Sequence, residues 1–354
     1  MGDNFIVADS KKELIDRLKN FTETDFSEEE LKTKFKLGKN YAKWIIENKA
    51  SLTIDEKKII EYDYRAFDKK WTYFDNQLLW RWRHATMKHF FNKENIGLMI
   101  CRQTAVNSWE HIGITKNIAD DSRVSNRSKE RAYIMPLYLY SETENNDDKE
   151  EISVREPNVN FEMTKRFSDN IGLEFTNEKE DSEKTFAPID ILDYIYGVLH
   201  SPKYREKYKV FLKIDFPRVP YPKDKSTFLK LAKLGKEIRQ FHLLETSQVN
   251  EYITTYPIEG NNEVTTKISK KDWIVSDSNS KLGRIWINEE QYFDGIPLVA
   301  WELYLGGYQP AQKWLKDRKG TTLGFDDILH YQKIIVSLTE TSRVMNEISL
   351  VEIE

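Results

Sequence analysis

The chain has 354 residues, 39 % hydrophobic, 13 % aromatic and 32 % charged, with a net charge of -4 and a single cysteine. The aromatic fraction excludes a disordered chain, the lone Cys101 excludes an internal disulfide, and no apolar run approaches the roughly 18 residues of a membrane-spanning helix. Met1 to Asn20 carries no secretory signal, so a cytoplasmic location is expected.

Ser10 to Glu61 places apolar residues at helical spacing (Leu14, Ile15, Leu18, then Leu31 and Phe35, then Trp44, Ile45, Ile46), and Ser27 followed by Glu30 is a capping-box start. Residues 1–60 are therefore expected to be short helices, read either as a connector or as a separate N-terminal subdomain. From Ile59 to Tyr140 the pattern turns to short strands at Ile59–Tyr64, Trp71–Asp75, Ile96–Arg102, His111–Thr115 and Ile134–Tyr140, with one helix over Asn76–Phe91. Asn117 to Arg131 lacks periodicity and reads as an exposed loop. Helices are expected over Asp190–Leu199, from Pro202 to Tyr208, over Ser226–Leu244, Pro297–Tyr304 and Asp326–Ile348, with strands and turns across Tyr256–Ile287. The turns include Gly260-Asn261-Asn262 and Asp277-Ser278-Asn279-Ser280, and Pro217, Pro220 and Pro222 enforce an extended crossing between helices.

Charge is distributed unevenly. Tyr64 to Gln103 holds eight Lys/Arg and three Trp against three carboxylates. Such fixed cations suit a polyanion, and the interleaved aromatics either stack on bases or cap a core. Ser141 to Glu183 is the reverse, with fourteen acids against five Lys/Arg, and Glu142, Glu144, Asp147, Asp148, Glu150 and Glu151 are expected in a solvated loop turned away from nucleic acid.

Several chemistries lack their residues. There is no Pro-Pro pair for the catalytic motif of an amine methyltransferase, and Gly235-Lys236 has Lys230 where a phosphate loop has its first glycine. His84 and His89 are five apart, on different helix faces, so no zinc cluster is expected. No Gly-x-Ser-x-Gly elbow occurs, and Asp68-Lys69-Lys70 and Asp317-Arg318-Lys319 read as solvated surface rather than nuclease sites. No catalytic residue, metal or cofactor is assigned to this chain.

One family pattern is present. Tyr64-Arg65-Ala66-Phe67-Asp68 with Trp71, Tyr73 and Arg83, then Asn95-Ile96-Gly97-Leu98 and Arg102-Gln103, resembles the opening of the C-terminal specificity domain of Type ISP restriction–modification enzymes. Asp193 to Arg205, Asp215 to Pro220, and Tyr308-Gln309 through Trp314 to Tyr331-Gln332 continue the resemblance in order. Ala66 departs from it, since proline is common there, and the nuclease, ATPase and methyltransferase portions expected upstream are missing. The resemblance implies a large multi-lobed α+β target-recognition unit with short, mainly antiparallel strands. It would span 61–354, with a basic lobe at 61–140, an acidic loop region at 141–185, a helical lobe at 186–250, a strand-rich segment at 251–295 and C-terminal helices at 296–354. It also implies recognition of a short asymmetric DNA sequence for an adjoining adenine-N6 methyltransferase, whose S-adenosylmethionine would be held outside this chain. The partners implied are double-stranded DNA and the upstream methyltransferase and helicase–nuclease portion of a bacterial defence enzyme. A protein-interaction module that docks a methyltransferase or nuclease without reading DNA is the competing reading.

Candidate phosphate contacts are Arg65, Lys69, Lys70, Arg81, Arg83, Lys88, Lys316, Arg318 and Lys319. Within these, Arg65 and the motif cations Lys316, Arg318 and Lys319 double as scaffold candidates. Candidate base readers are Arg102, Gln103 and Asn107, which open a loop after a strand, with Arg123, Asn126 and Arg127 in the 117–131 loop. Tyr194, Tyr196, His200 and Tyr204, with Gln309, Trp314, Tyr331 and Gln332, are read as core.

Overall fold

Helix starts in the first sixty residues are set by serine caps. Ser10 Oγ accepts the Glu13 amide at 3.1 Å, and the Ser27–Glu30 pair forms the reciprocal capping box read from the sequence. In the computed structural model, which describes residues 2–106, 108–141, 154–276 and 279–353, these caps open α2 (Lys11–Glu23) and α3 (Glu28–Phe35), preceded by α1 (Asp3–Ile6) and β1 (Val7–Ala8) and followed by α4 (Lys39–Lys49). Two strands follow, β2 (Ile59–Arg65) and β3 (Asp68–Tyr73), then a single helical turn, α5 (His84–Met87). β1, β3 and β2 form an antiparallel sheet in that order, and Leu14, Leu18, Phe21, Leu31 and Ile45 pack beneath it with Phe5 and Tyr73.

This first unit comprises Met1–Asn95 and Lys116–Asp120. Its helices and strands share one core, so the division falls after Asn95 rather than at residue 60. The helix expected over Asn76–Phe91 shrinks to α5 because Arg81 (φ 62°) and Arg83 (φ 50°) take left-handed backbone. That geometry suits the two-residue alternation of Trp80 and Trp82 and stops an α-helix.

The second unit comprises Ile96–Thr115 and Asp121–Glu354. It opens with β4 (Gly97–Cys101), β5 (Ile112–Thr115) and β6 (Ala132–Pro136), an antiparallel sheet with β4 central, and β7 (Tyr138–Tyr140) pairs with β8 (Arg155–Pro157). α6 (Phe161–Ile171) leads to a two-stranded parallel pair, β9 (Glu174–Phe175) and β10 (Thr185–Phe186). The helices α7 (Pro188–His200), α8 (Pro202–Leu212) and α9 (Lys225–His242) follow, with Pro188 and Pro202 in the first turns of α7 and α8. A second antiparallel sheet, β11 (Ile274–Ser276), β12 (Asn279–Trp286) and β13 (Tyr292–Pro297), precedes α10 (Leu298–Glu302), α11 (Pro310–Asp317) and α12 (Phe325–Ser349). The fold is α+β. Asp277 and Ser278 of the expected turn, and the acidic residues Glu142, Glu144, Asp147, Asp148, Glu150 and Glu151, lie outside the described residues.

The helical core is built on a glycine crossing. A Cβ on Gly235 of α9 would stand 1.8 Å from the Asp193 carbonyl of α7, and one on Gly197 2.6 Å from the Leu231 carbonyl. Backbones therefore touch where α7 meets α9, and Arg239 locks the crossing with a two-pronged bond to Asp193 at 2.6 and 3.0 Å. Tyr194, Tyr196, His200 and Tyr204 are buried there. Tyr196 Oη meets His242 Nδ1 at 2.6 Å, and His242 Nε2 meets Thr341 Oγ1 of α12 at 3.0 Å. Among the described residues no helix is long and apolar enough to cross a membrane.

Candidate nucleic-acid interface

In the first unit several of the basic residues are consumed by the fold. Arg65 is 8 % exposed, bonded to Asp120 at 3.1 Å and laid over the Tyr64 ring at 3.8 Å, which removes it from the surface available to phosphates. Lys69 pairs with Glu61 at 3.0 Å across the β2–β3 hairpin, and Lys70 pairs with Asp9 at 2.7 Å. Arg81 and Arg83 are exposed and Lys88 half-buried, all on the turn around α5. Tryptophans stiffen that turn: Trp80 meets Trp44 edge-on at 5.1 Å, and Trp82 stacks on His84 at 4.4 Å. Holding the backbone by aromatic packing leaves the cations between the rings outward, a rigid display suited to phosphate oxygens.

In the second unit two loops carry the base-reading candidates, and one carboxylate joins them. Arg102 and Gln103 are exposed just past the end of β4, and Asn126 and Arg127 are exposed in the 121–131 connection. Asn107 lies outside the described residues. Glu130, fully buried, accepts the Ala105 amide at 2.6 Å, the Ser125 hydroxyl at 2.6 Å and a bond from His111 Nε2 at 2.8 Å. Burial works against this carboxylate, but the bonds from Ser125, Ala105 and His111 prevail and hold its pKa below the usual value. Burial also depresses His111, so the imidazole is neutral and presents its Nε2–H to Glu130. Cys101 donates to the Glu130 carbonyl at 3.2 Å, and burial first, then the Glu130 charge, pushes its thiol up to about 12, which makes it a strand residue and not a nucleophile.

A glycine pair clamps the second of these loops. Gly306 (φ 71°) sits so near the loop that a Cβ would lie 1.7 Å from the Val124 carbonyl, and the Gly306 and Gly307 amides donate to Glu110 and Val124 carbonyls at 2.7 and 2.8 Å. Tyr308 Oη donates to the Arg123 carbonyl. The loop expected to be exposed from Asn117 to Arg131 is largely buried or half-buried, and within it residues 126–129 are the fully exposed stretch. Arg123, 6 % exposed with its guanidinium against Met99 Sδ at 4.0 Å, is a packing residue rather than a reader of base edges.

On the first loop, Thr104 donates its amide to the Lys213 carbonyl at 3.0 Å and Arg102 Nε meets Asp215 at 3.0 Å, so Arg102 is exposed yet aimed. At the other motif, Arg318 lies over the Trp314 ring at 3.4 Å and bonds the Trp314 carbonyl at 3.2 Å, whereas Lys316 and Lys319 are exposed at the end of α11. Arg318 therefore serves the fold first. Trp314 and Tyr331 are buried as expected, and Gln332 Nε2 donates to the Thr254 carbonyl. Sequence reading missed Glu130 entirely, since one acid in a polar loop carries no pattern.

Two loops of the second unit, fixed by the buried Glu130 carboxylate, thus hold Arg102, Gln103, Asn126 and Arg127 at the surface. The Type ISP C-terminal specificity domain profile matches residues 2–347, and the chain belongs to that family. Solved structures share the fold. The cryo-EM structure of the DrdV–DNA complex aligns at TM-score 0.71 and 19 % identity over 98 % of this chain and 34 % of that one. The ATP-dependent Type ISP restriction–modification enzyme LlaBIII bound to DNA aligns at 0.70 and 17 % over 99 % of this chain and 23 % of its own. A nuclease-deletion mutant of the Type ISP restriction–modification enzyme LlaGI in complex with a DNA substrate mimic aligns at 0.65 and 17 %, covering 99 % and 27 %. The chain thus spans between about a quarter and a third of the length of these structures. No curated protein matches it.

Proposed function

We propose that this chain is the DNA target-recognition part of a Type ISP restriction–modification enzyme, reading a short asymmetric duplex sequence and presenting it to an adjoining adenine-N6 methyltransferase. Membership of the specificity-domain family carries the reading. The prefixed pair of loops supports it, because base discrimination needs donors and acceptors held before the duplex arrives. Arg81, Arg83, Lys88, Lys316 and Lys319 set register on phosphates, and Arg102, Gln103, Asn126 and Arg127 address base edges in the major groove. S-adenosylmethionine belongs to the neighbouring methyltransferase, which flips the adenine while the recognition part holds the distorted duplex. The chain has no catalytic role of its own, and a cytoplasmic location accompanies this reading.

Fluorescence anisotropy against random duplexes at stepped salt tests the phosphate layer. A slope of several phosphate contacts is expected, and absent or salt-insensitive binding would overturn it in favour of a protein-docking module.

A further inference from the structure

Past its expected end at Tyr208, α8 continues to Leu212 and presents a face that none of the described residues covers. Val210 and Phe211 at the end of α8 and Ile214 in the turn that follows are 65 %, 67 % and 66 % exposed, and the Ile214 amide donates to the Phe211 carbonyl at 3.1 Å, which folds the three residues into one short turn. Three adjacent large apolar residues exposed to this degree mark a contact surface, since folding gains nothing from leaving them in water. The surrounding charge is basic. Lys203, Lys207 and Lys209 are exposed and Lys213 half-buried, and Glu206, the single acid of α8, is bonded to Lys209.

The face is anchored to the loop that carries Arg102. The Lys213 carbonyl holds the Thr104 amide at 3.0 Å, Asp215 holds Arg102 at 3.0 Å, and Phe216 packs edge-on against the half-exposed Tyr133 of β6 at 5.2 Å. α8 itself is rigid. Its Tyr204 and Arg205 are buried, Tyr204 Oη donates to the Arg218 carbonyl at 2.8 Å, and Arg205 Nε donates to the Leu199 carbonyl at 2.6 Å.

We propose that the C-terminal turn of α8 is a DNA wedge, in which Phe211, flanked by Val210 and Ile214, enters the duplex at a base step while Lys203, Lys207 and Lys209 hold the phosphates on either side. The occupant is duplex DNA because the rim is cationic and the patch adjoins the Arg102–Gln103 loop. A partly unstacked step is where an aromatic ring on a rigid helix finds apolar surface inside a polyanion. The wedge rests on the DNA-recognition reading and adds distortion of the duplex to its reading by contact.

The test uses the full-length protein and a duplex enriched by the wild type from a randomised library, with 2-aminopurine placed at successive positions. Wild-type binding is expected to raise 2-aminopurine fluorescence at one step. Phe211→Ala should abolish that rise and weaken binding about 10-fold or more with an unchanged salt slope, and Phe211→Leu should restore part of both. Lys207→Gln with Lys209→Gln should lower the salt slope by about one to two and leave the fluorescence rise at saturation. Phe211 is exposed, so an unchanged melting temperature separates its loss from misfolding. Phe211→Ala that keeps wild-type affinity and fluorescence rise overturns the wedge while recognition stands. A wild type that enriches no sequence overturns both.

Discussion

Glu130 is the residue whose loss the structure makes most measurable. Its carboxylate is the shared acceptor for the Ala105 amide, the Ser125 hydroxyl and His111 Nε2, all buried or part-buried. Glu130→Ala removes the acceptor and leaves a void. The Ser125 hydroxyl can rotate away, but moving the His111 proton to Nδ1 only transfers the unpaired N–H to another buried, partnerless atom, and the Ala105 amide cannot re-aim, so two donors are orphaned. With about 1–3 kcal/mol for each orphaned buried donor, Glu130→Ala should cost about 3–5 kcal/mol. Glu130→Gln keeps a carbonyl oxygen for Ala105 and turns its amide to the Ser125 oxygen and to a His111 Nε2 whose proton has moved to Nδ1, so its cost should be about 1–2 kcal/mol. Urea denaturation followed by tryptophan fluorescence reads both values. Two variants within about 0.5 kcal/mol of the wild type would refute the idea that one carboxylate fixes the two loops.

Gly306→Ala should destabilise by about 2 kcal/mol or more, because left-handed backbone and a Cβ in contact with the Val124 carbonyl act together; an unchanged thermal midpoint would contradict that. Burial lowers His242 to about 3 from 6.5, so the unfolded chain takes up a proton that the folded chain refuses. Its contribution is complete above about pH 6.5 and declines by about 1.4 kcal/mol per pH unit on acidification toward 3; His242→Gln should flatten the pH dependence of the urea midpoint, and an equally steep curve would count against a neutral buried imidazole. Arg83→Ala should weaken binding equally for all duplexes, whereas Arg102→Ala should relax preference at one base pair at a cost of about 1–3 kcal/mol; anisotropy on a panel of single-substitution duplexes separates them, and the reverse pattern would overturn the division.

Where side-chain period and capping agreed, the chain could be read directly. The Ser27–Glu30 box, the α9 stripe of Phe228, Leu231 and Ile238, and the α12 stripe became elements where expected. The helix over Asn76–Phe91 failed because Arg81, between Trp80 and Trp82, and Arg83, just after them, adopt left-handed backbone, while Trp80 packs on Trp44 and Trp82 on His84. Arg123 looked like a loop cation and Arg65 was divided between phosphate contact and scaffold, because composition does not reveal a buried partner: Asp120 lies 55 residues from Arg65 in sequence. The apolar end of α8 was missed for the opposite reason. The helix was expected to stop at Tyr208, and the exposure of Val210 and Phe211 beyond it is visible only in the fold.

Selection from a randomised duplex library by the wild-type full-length protein, followed by sequencing of the bound fraction, tests target recognition most directly. DNA recognition predicts enrichment of one short asymmetric motif, with binding to the enriched duplex tighter than to its scrambled counterpart by about 10³-fold or more at physiological salt. An unenriched pool, bound with equal affinity to the starting library, would contradict it.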